Sequence, residues 1–406
     1  MNWNTLYSSR IESMGHSDIV AMLKLAEQPE VISFAGGLPD PATFLLEEIK
    51  DLYGEVFAQK GRTALGYGPT AGITPFREWL AEHMTRLGRP SKVEECLVTT
   101  GGIAAFDLIC KILLDPGDVV IVGEPDYLAT LQVVRTYEGR FAGVPLDNNG
   151  MQPDALKSTL EDLRREALRP KFIYLIPSFQ NPSGVTLSEE RRKRILEIAV
   201  EYNVPIIEDE AYRDLRFEGE APPMLASLDP ENVIHINTFS KIFNPGVRIG
   251  WVTAPKEFIE KLVLAKQSQD QCSTTIGQYA ALAFASKGLI EKQKIRAVEI
   301  YQRKRDAMLA AMEKHFPQRA HWTKAQGGFY TWATLPKEID TEALLPRAIA
   351  DASVAYGAGP SFYHNRSGKE HMRLCYSYVS ESQIEEGIRR LGYLLSEILA
   401  DKEKEE

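Results

Sequence analysis

From Cys96 to Thr253 short apolar runs alternate with stretches of helical period. The runs are CLVTT, DVVIVGE, FAGVPL, KFIYLIP, VPIIEDE, NVIHINT and RIGWVTAP, and between them lie helical patterns such as IAAFDLICKILL and SEERRKRILEIAVEYN. That alternation is the signature of an α/β layer: it predicts a large domain with a mostly parallel seven-stranded sheet between helices. Ser188, followed by Glu189 and Glu190, is a cap with the charge order that a helix N-terminus prefers. From about Leu289 one long helical pattern runs to His315, and then the texture changes to short strands, GGFYTWATL and HMRLCYSYV, separated by helices. This predicts a second, smaller α+β domain that closes with an amphipathic helix after Ser380 and a frayed DKEKEE tail. The expected divisions are an N-terminal segment with a substrate-covering helix (1–45), a large cofactor-binding domain (46–300) and a small domain (301–406).

A chain of 406 residues with 44% apolar and 25% charged residues has the means to bury such cores. Its net charge of −9 offers no basic footprint for nucleic acid or an anionic membrane. Arg191, Arg192, Lys193 and Arg194 do cluster, but within a helical stretch that reads as a solvated face. Cys96, Cys110, Cys272 and Cys375 lie far apart with no CxxC pair, as expected of free thiols in a reducing compartment, and no metal site is expected. The opening residues MNWNTLYSSRIESM lack a basic start followed by an apolar core, so the chain reads as cytoplasmic.

The candidate chemistry sits at the C-terminal ends of the predicted strands, where open α/β sheets hold their ligands. Asn181-Pro182-Ser183-Gly184 follows FIYLIP, and Asp209 ends VPIIEDE with a period of two placing it opposite Glu208 and Glu210. The most telling segment is Thr238 to Gly250, TFSKIFNPGVRIG, which follows VIHIN. Its Pro-Gly turn folds Arg248 back toward Lys241 and Thr238. Two cations beside hydroxyl donors make a dianion site, and a crowded lysine has the lowered pKa an amine nucleophile requires.

SKIFNPGVRIGW resembles the lysine motif of fold type I pyridoxal-phosphate enzymes, and the likeness continues through NPSG, DEAY, the TTGG turn and MRLCYSY across nearly the whole chain. It is closest to the 2-aminoadipate, kynurenine and aromatic aminotransferase branch of class I/II, through ISFAGGLPDP and LIPSFQNPSG. The resemblance implies an aspartate-aminotransferase-like fold, pyridoxal 5′-phosphate as cofactor, an amino acid and a 2-oxoacid as substrates, and a homodimer with shared active sites. Lys241 would bond the cofactor and shuttle the proton, Asp209 would pair with the pyridine nitrogen, and Asn181 and Tyr212 would hydrogen-bond the ring hydroxyl beneath Tyr127. Thr238, Ser240, Arg248 and the backbone at Gly101, Gly102 and Ile103 would hold the phosphate. The branch usually has Ser-Gln where this chain has Gly102-Ile103, which shifts the work to backbone amides. Tyr67 would reach the phosphate of the neighbouring subunit. Arg373 would grip the substrate carboxylate beside Gly37.

Two rivals share this fold: a lyase or decarboxylase with the same cofactor, and a non-catalytic aminotransferase-like regulator, which would need a DNA-reading domain that is not expected from this acidic sequence. Within the branch the residue facing the far end of the substrate corresponds to Val20, with Ser17 beside it. Neither is a cation, so an apolar or aromatic L-amino acid is the expected donor.

Overall fold

The computed structural model describes residues 1–14, 18, 24 and 30–405. Chain order gives strands β1 (Ile32–Ser33), β2 (Cys96–Thr99), β3 (Val119–Glu124), β4 (Arg140–Asp147), β5 (Gly150–Met151), β6 (Pro170–Leu175), β7 (Ile206–Asp209), β8 (Val233–Thr238) and β9 (Gly250–Thr253). Strands β2 to β9 form one eight-stranded sheet in the order β2-β9-β8-β7-β6-β3-β4-β5. All seven apolar runs are strands, and the eighth, β5, is a two-residue hairpin return on β4 too short to show alternation. Pairings along β8-β7-β6-β3-β4 are parallel, while β9 runs against both β8 and β2. Strand β2 therefore points the same way as β8. The C-terminal ends of β2, β3, β6, β7 and β8 consequently share one edge of the sheet.

The second sheet is antiparallel, in the order β10-β11-β14-β13, built from β10 (His321–Trp322), β11 (Tyr330–Thr334), β13 (Gly357–Ala358) and β14 (His371–Cys375). Strand β12 (Val354–Ala355) pairs in parallel with β1, which ties the N-terminal segment to this smaller layer. The long helix is Leu289–His315, as its periodicity predicted. Glu381–Glu405 closes the chain, so the tail expected to fray is helical through Glu405; Lys402 Nζ donates to the Glu338 carbonyl at 2.7 Å and anchors its last turns.

The expected solvated face around Arg191 to Arg194 needs correction. Ser188 does cap the helix Glu189–Glu201, its hydroxyl accepting from the Arg191 amide. Lys193 and Arg194 are exposed, but Arg192 is fully buried and meets Glu210 at 3.2 Å. It stands one helical turn before Ile195 and Leu196, so it belongs to the face that packs on the sheet. A cation survives there because carboxylates and carbonyls surround it.

Candidate active site

The register of the sheet builds one cradle. Gly250 lies opposite Thr99 on β2 and opposite Thr238 on β8, so the ends of both strands flank the start of β9. A Cβ on Gly250 would come within 2.7 Å of the Gly101 carbonyl carbon, which is why no side chain is tolerated there. Gly101 has φ +92° and caps the helix Gly102–Leu113 without any side-chain hydrogen bond. A Cβ on Gly101 would sit 2.5 Å from Arg248 Nη2, so its absence lets the guanidinium close on the helix end. Arg248 itself is left-handed at φ +51° and donates to the Thr100 carbonyl at 3.3 Å. The Thr238 hydroxyl lies 2.9 Å from Ser240 Oγ. Uncapped helix amides, a guanidinium and two hydroxyls thus converge, which is a fitting seat for a phosphate dianion. Ile103, on the first turn, adds only a partly exposed apolar side chain.

Beside this cradle Lys241 Nζ donates to the Gly37 carbonyl at 3.3 Å and lies 5.2 Å from the Phe329 ring and 5.6 Å from the Tyr212 ring. Burial, helped by the charges of Arg248 and Arg373 against Cys375 and Asp209, brings its amine down to about 8. A lysine so held is a neutral nucleophile over an accessible pH range. Asp209 ends β7 and accepts the Tyr174 hydroxyl at 2.9 Å and the Ala211 amide at 3.2 Å. Burial pushes its carboxyl up to about 6 even so, a perturbation of the kind functional carboxylates carry.

The opposite wall joins both layers. Arg373 Nη1 donates to Asn181 Oδ1 at 2.8 Å and its second nitrogen to the Ala35 carbonyl, while its guanidinium lies 4.6 Å above the Tyr330 ring and 4.7 Å from the Phe362 ring. The Tyr330 hydroxyl accepts from Asn181 Nδ2 at 3.4 Å and meets the Tyr212 hydroxyl at 3.0 Å. A Cβ on Gly37 would fall 2.1 Å from that same Tyr330 oxygen. Tyr127 stands among these groups: the charges of Asp209, Arg373 and Arg248 all reach its hydroxyl, which burial drives up to about 12.

Of the residues singled out in the sequence, this geometry gathers Lys241, Asp209, Tyr212, Asn181, Tyr127, Gly37, Arg373, Thr238, Ser240, Arg248 and the Gly101 to Ile103 turn. Tyr67 stands apart, 88% exposed on the surface of this chain. Ser17 and Val20 lie outside the described residues. Sequence reading missed Tyr330, Tyr174 and Asp126. Asp126 is 2% exposed, accepts the Gly123 and Tyr127 amides at 2.7 and 2.6 Å, and carries a carboxyl raised to about 8 by burial. Its only visible signal was adjacency to Tyr127; Tyr330, inside an ordinary strand pattern, gave none.

Residues 30–391 match the family model Aminotransferase class I and II. The chain belongs to the class I and II aminotransferases. It is 43% identical to aromatic-amino-acid aminotransferase 1 of Thermococcus litoralis, with 98% of this chain and 95% of that protein covered. Identity is 37% to the 2-aminoadipate transaminase of Thermus thermophilus, over 98% of this chain and 99% of that one. The crystal structure of Pyrococcus horikoshii kynurenine aminotransferase, solved with PMP, superposes with a TM-score of 0.94 at 40% identity and 98% coverage of both chains. This aminotransferase takes pyridoxal 5′-phosphate as its cofactor and has the aspartate-aminotransferase-like fold. Among its described residues no helix is long and apolar enough to cross a membrane.

Proposed function

We propose that this aminotransferase moves the amino group of an apolar or aromatic L-amino acid to a 2-oxoacid by a ping-pong mechanism, in the cytoplasm, with Lys241 as the catalytic base. The carrying observation is the lowered amine of Lys241, held between the Gly37 carbonyl and two aromatic rings beside the Arg248 cradle. Bound pyridoxal phosphate supplies an electron-accepting ring and the carbon that takes up the amino group. Lys241 Nζ would hold the resting cofactor and, once released, carry the proton taken from the substrate α-carbon. Asp209 would pair with the pyridine nitrogen and favour its protonated form, Tyr174 orienting the carboxylate through the hydrogen bond already formed. Asn181 and Tyr212 would hydrogen-bond the ring hydroxyl, Tyr127 would cover the ring, and Thr238, Ser240, Arg248 and the amides of Gly101 to Ile103 would hold the phosphate. Arg373 presents its fork to the substrate carboxylate next to Gly37.

The divisions 1–45, 46–300 and 301–406 are proposed as working units. The last boundary falls within the uninterrupted helix Leu289–His315, which would then link the two domains as one rigid element. A homodimer is proposed in which Tyr67 completes the partner's phosphate site, consistent with an aromatic residue left 88% exposed. Cytoplasmic residence accords with four cysteines that form no disulfide.

The donor preference is supported by the names of the Thermococcus and Pyrococcus relatives. Comparing kcat/KM for leucine, phenylalanine and kynurenine with that for 2-aminoadipate tests it. The uncharged donors are expected to lead; a preference for 2-aminoadipate of about tenfold or more, worth about 1.4 kcal/mol, would show that a cation serves the far end of the pocket.

A further inference from the structure

We infer that Arg192, buried on the reverse face of the large sheet, is a positioning residue that sets Asp209 and Asn181 jointly; this rests on the roles proposed above for those two. The guanidinium joins four stretches of chain. Its Nε donates to the Leu187 carbonyl at 3.0 Å. Its Nη2 donates to the Pro177 carbonyl at 3.0 Å and to Ser178 Oγ at 3.2 Å, on the segment that leads from β6 to Asn181. Its Nη1 donates to Glu210 Oε1 at 3.2 Å, one residue beyond Asp209, and to the Pro223 carbonyl at 3.1 Å. Glu208, the other neighbour of Asp209, lies 3.9 Å from the same nitrogen and accepts the Leu225 and Ala226 amides and the His235 ring nitrogen.

Strand alternation explains why this matters at the front. Glu208 and Glu210 point to the Arg192 side, so Asp209 points to the active-site side, and fixing its two neighbours fixes its direction. The second arm acts on a strained turn. Phe179 is left-handed at φ +53° although it has a side chain, and it separates the Ser178 anchor from Asn181. A planar fork with five donors can span both strand exits at once; an ammonium has neither the reach nor the geometry. The basic cluster that reads as surface in the sequence thus contributes one member to the site from behind.

The test compares Arg192→Lys with wild type as purified holoenzymes, with Arg194→Lys as control, since Arg194 is exposed and pairs with Glu197 at 2.9 Å on its own helix. Three quantities are read: kcat, KM for the amino donor, and the induced circular dichroism of the bound cofactor. Arg192→Lys keeps the charge and most of the volume, so it is expected to fold. Its kcat is expected to fall about tenfold or more through the displaced Asp209, and KM for the donor to rise as well, because Asn181 also accepts from Arg373, which would grip the substrate carboxylate. Its visible dichroism is expected to weaken as the ring loses its fixed partners, while Arg194→Lys matches wild type in all three. If Arg192→Lys does not accumulate, Glu210→Gln probes the same joint. It leaves the carbonyl bonds of the guanidinium in place, and a smaller change of the same kind is expected.

A folded Arg192→Lys, or in its place Glu210→Gln, with wild-type kcat and dichroism would overturn the inference, even if its melting temperature had dropped, because that pattern is merely structural. Failure of the underlying site would look different: Asp209→Ala would then retain full activity.

Discussion

At the scale of single residues, much of the chemistry was legible because it lies in contiguous segments. TFSKIFNPGVRIG carries the amine, the hydroxyls and the guanidinium within one strand exit, and the Pro-Gly turn that returns Arg248 is visible as letters. Tyr330 was not legible, since its value comes from Asn181, Tyr212, Arg373 and Gly37 arriving from separate elements. Asp209 yields a prediction with two opposite signs. Its carboxyl is raised to about 6 by burial, so ionising it costs the folded apo protein; that cost is absent below the ordinary value of 3.8 and fully present above about 6. Asp209→Asn should therefore raise the melting temperature of the apo protein at pH 7 and leave it unchanged near pH 3, while turnover falls by about a hundredfold or more through loss of a preorganised charge. An apo variant less stable than wild type at pH 7, measured by calorimetry, would contradict the burial cost.

At the scale of elements, runs of four to eight residues were readable and two-residue strands were not, because β1, β5, β10, β12 and β13 are too short to carry a period. The helix Glu189–Glu201 was legible in its bounds and its Ser188 cap, but not in its orientation. Arg192 shares a face with Ile195, Leu196 and Ala199, a spacing that outweighed its charge. The helix Gly102–Leu113 yields the second prediction. Gly101 combines φ +92° with a Cβ position 2.5 Å from Arg248 Nη2, so Gly101→Ala both strains the backbone and pushes the guanidinium off the cradle. The strained alanine costs the folded backbone about 1–3 kcal/mol, and the displaced guanidinium weakens the phosphate seat. Equilibrium dialysis should show the corresponding weaker retention of pyridoxal phosphate, and undiminished retention would mean that the phosphate does not sit against this turn.

At the scale of the whole molecule, the α/β layer and the following α+β layer were visible as a change in texture near residue 289, whereas the pairing of β1 with β12 across the chain was not, since parallel two-residue pairs leave no local trace. The assembly prediction belongs here. Tyr67 stands 88% exposed and Leu65 72% exposed beyond the helix Leu46–Ala64, and a subunit partner would cover them. Tyr67→Phe removes one hydrogen bond to a charged group, about 1.5–3 kcal/mol, so cofactor should be lost more readily with folding intact. Light scattering under assay conditions should find a dimer, and an active monomer would sink the shared site.

The role of Lys241 is tested most directly by a single half-turnover. Wild type and Lys241→Ala, each loaded with pyridoxal phosphate, are mixed with leucine or phenylalanine and the visible spectrum is followed. Wild type should convert its cofactor to the amino form and revert on addition of a 2-oxoacid, with no ammonia or carbon dioxide released. Lys241→Ala should bind the amino acid yet fail to convert. Conversion by the variant at the wild-type rate would show that another group moves the proton.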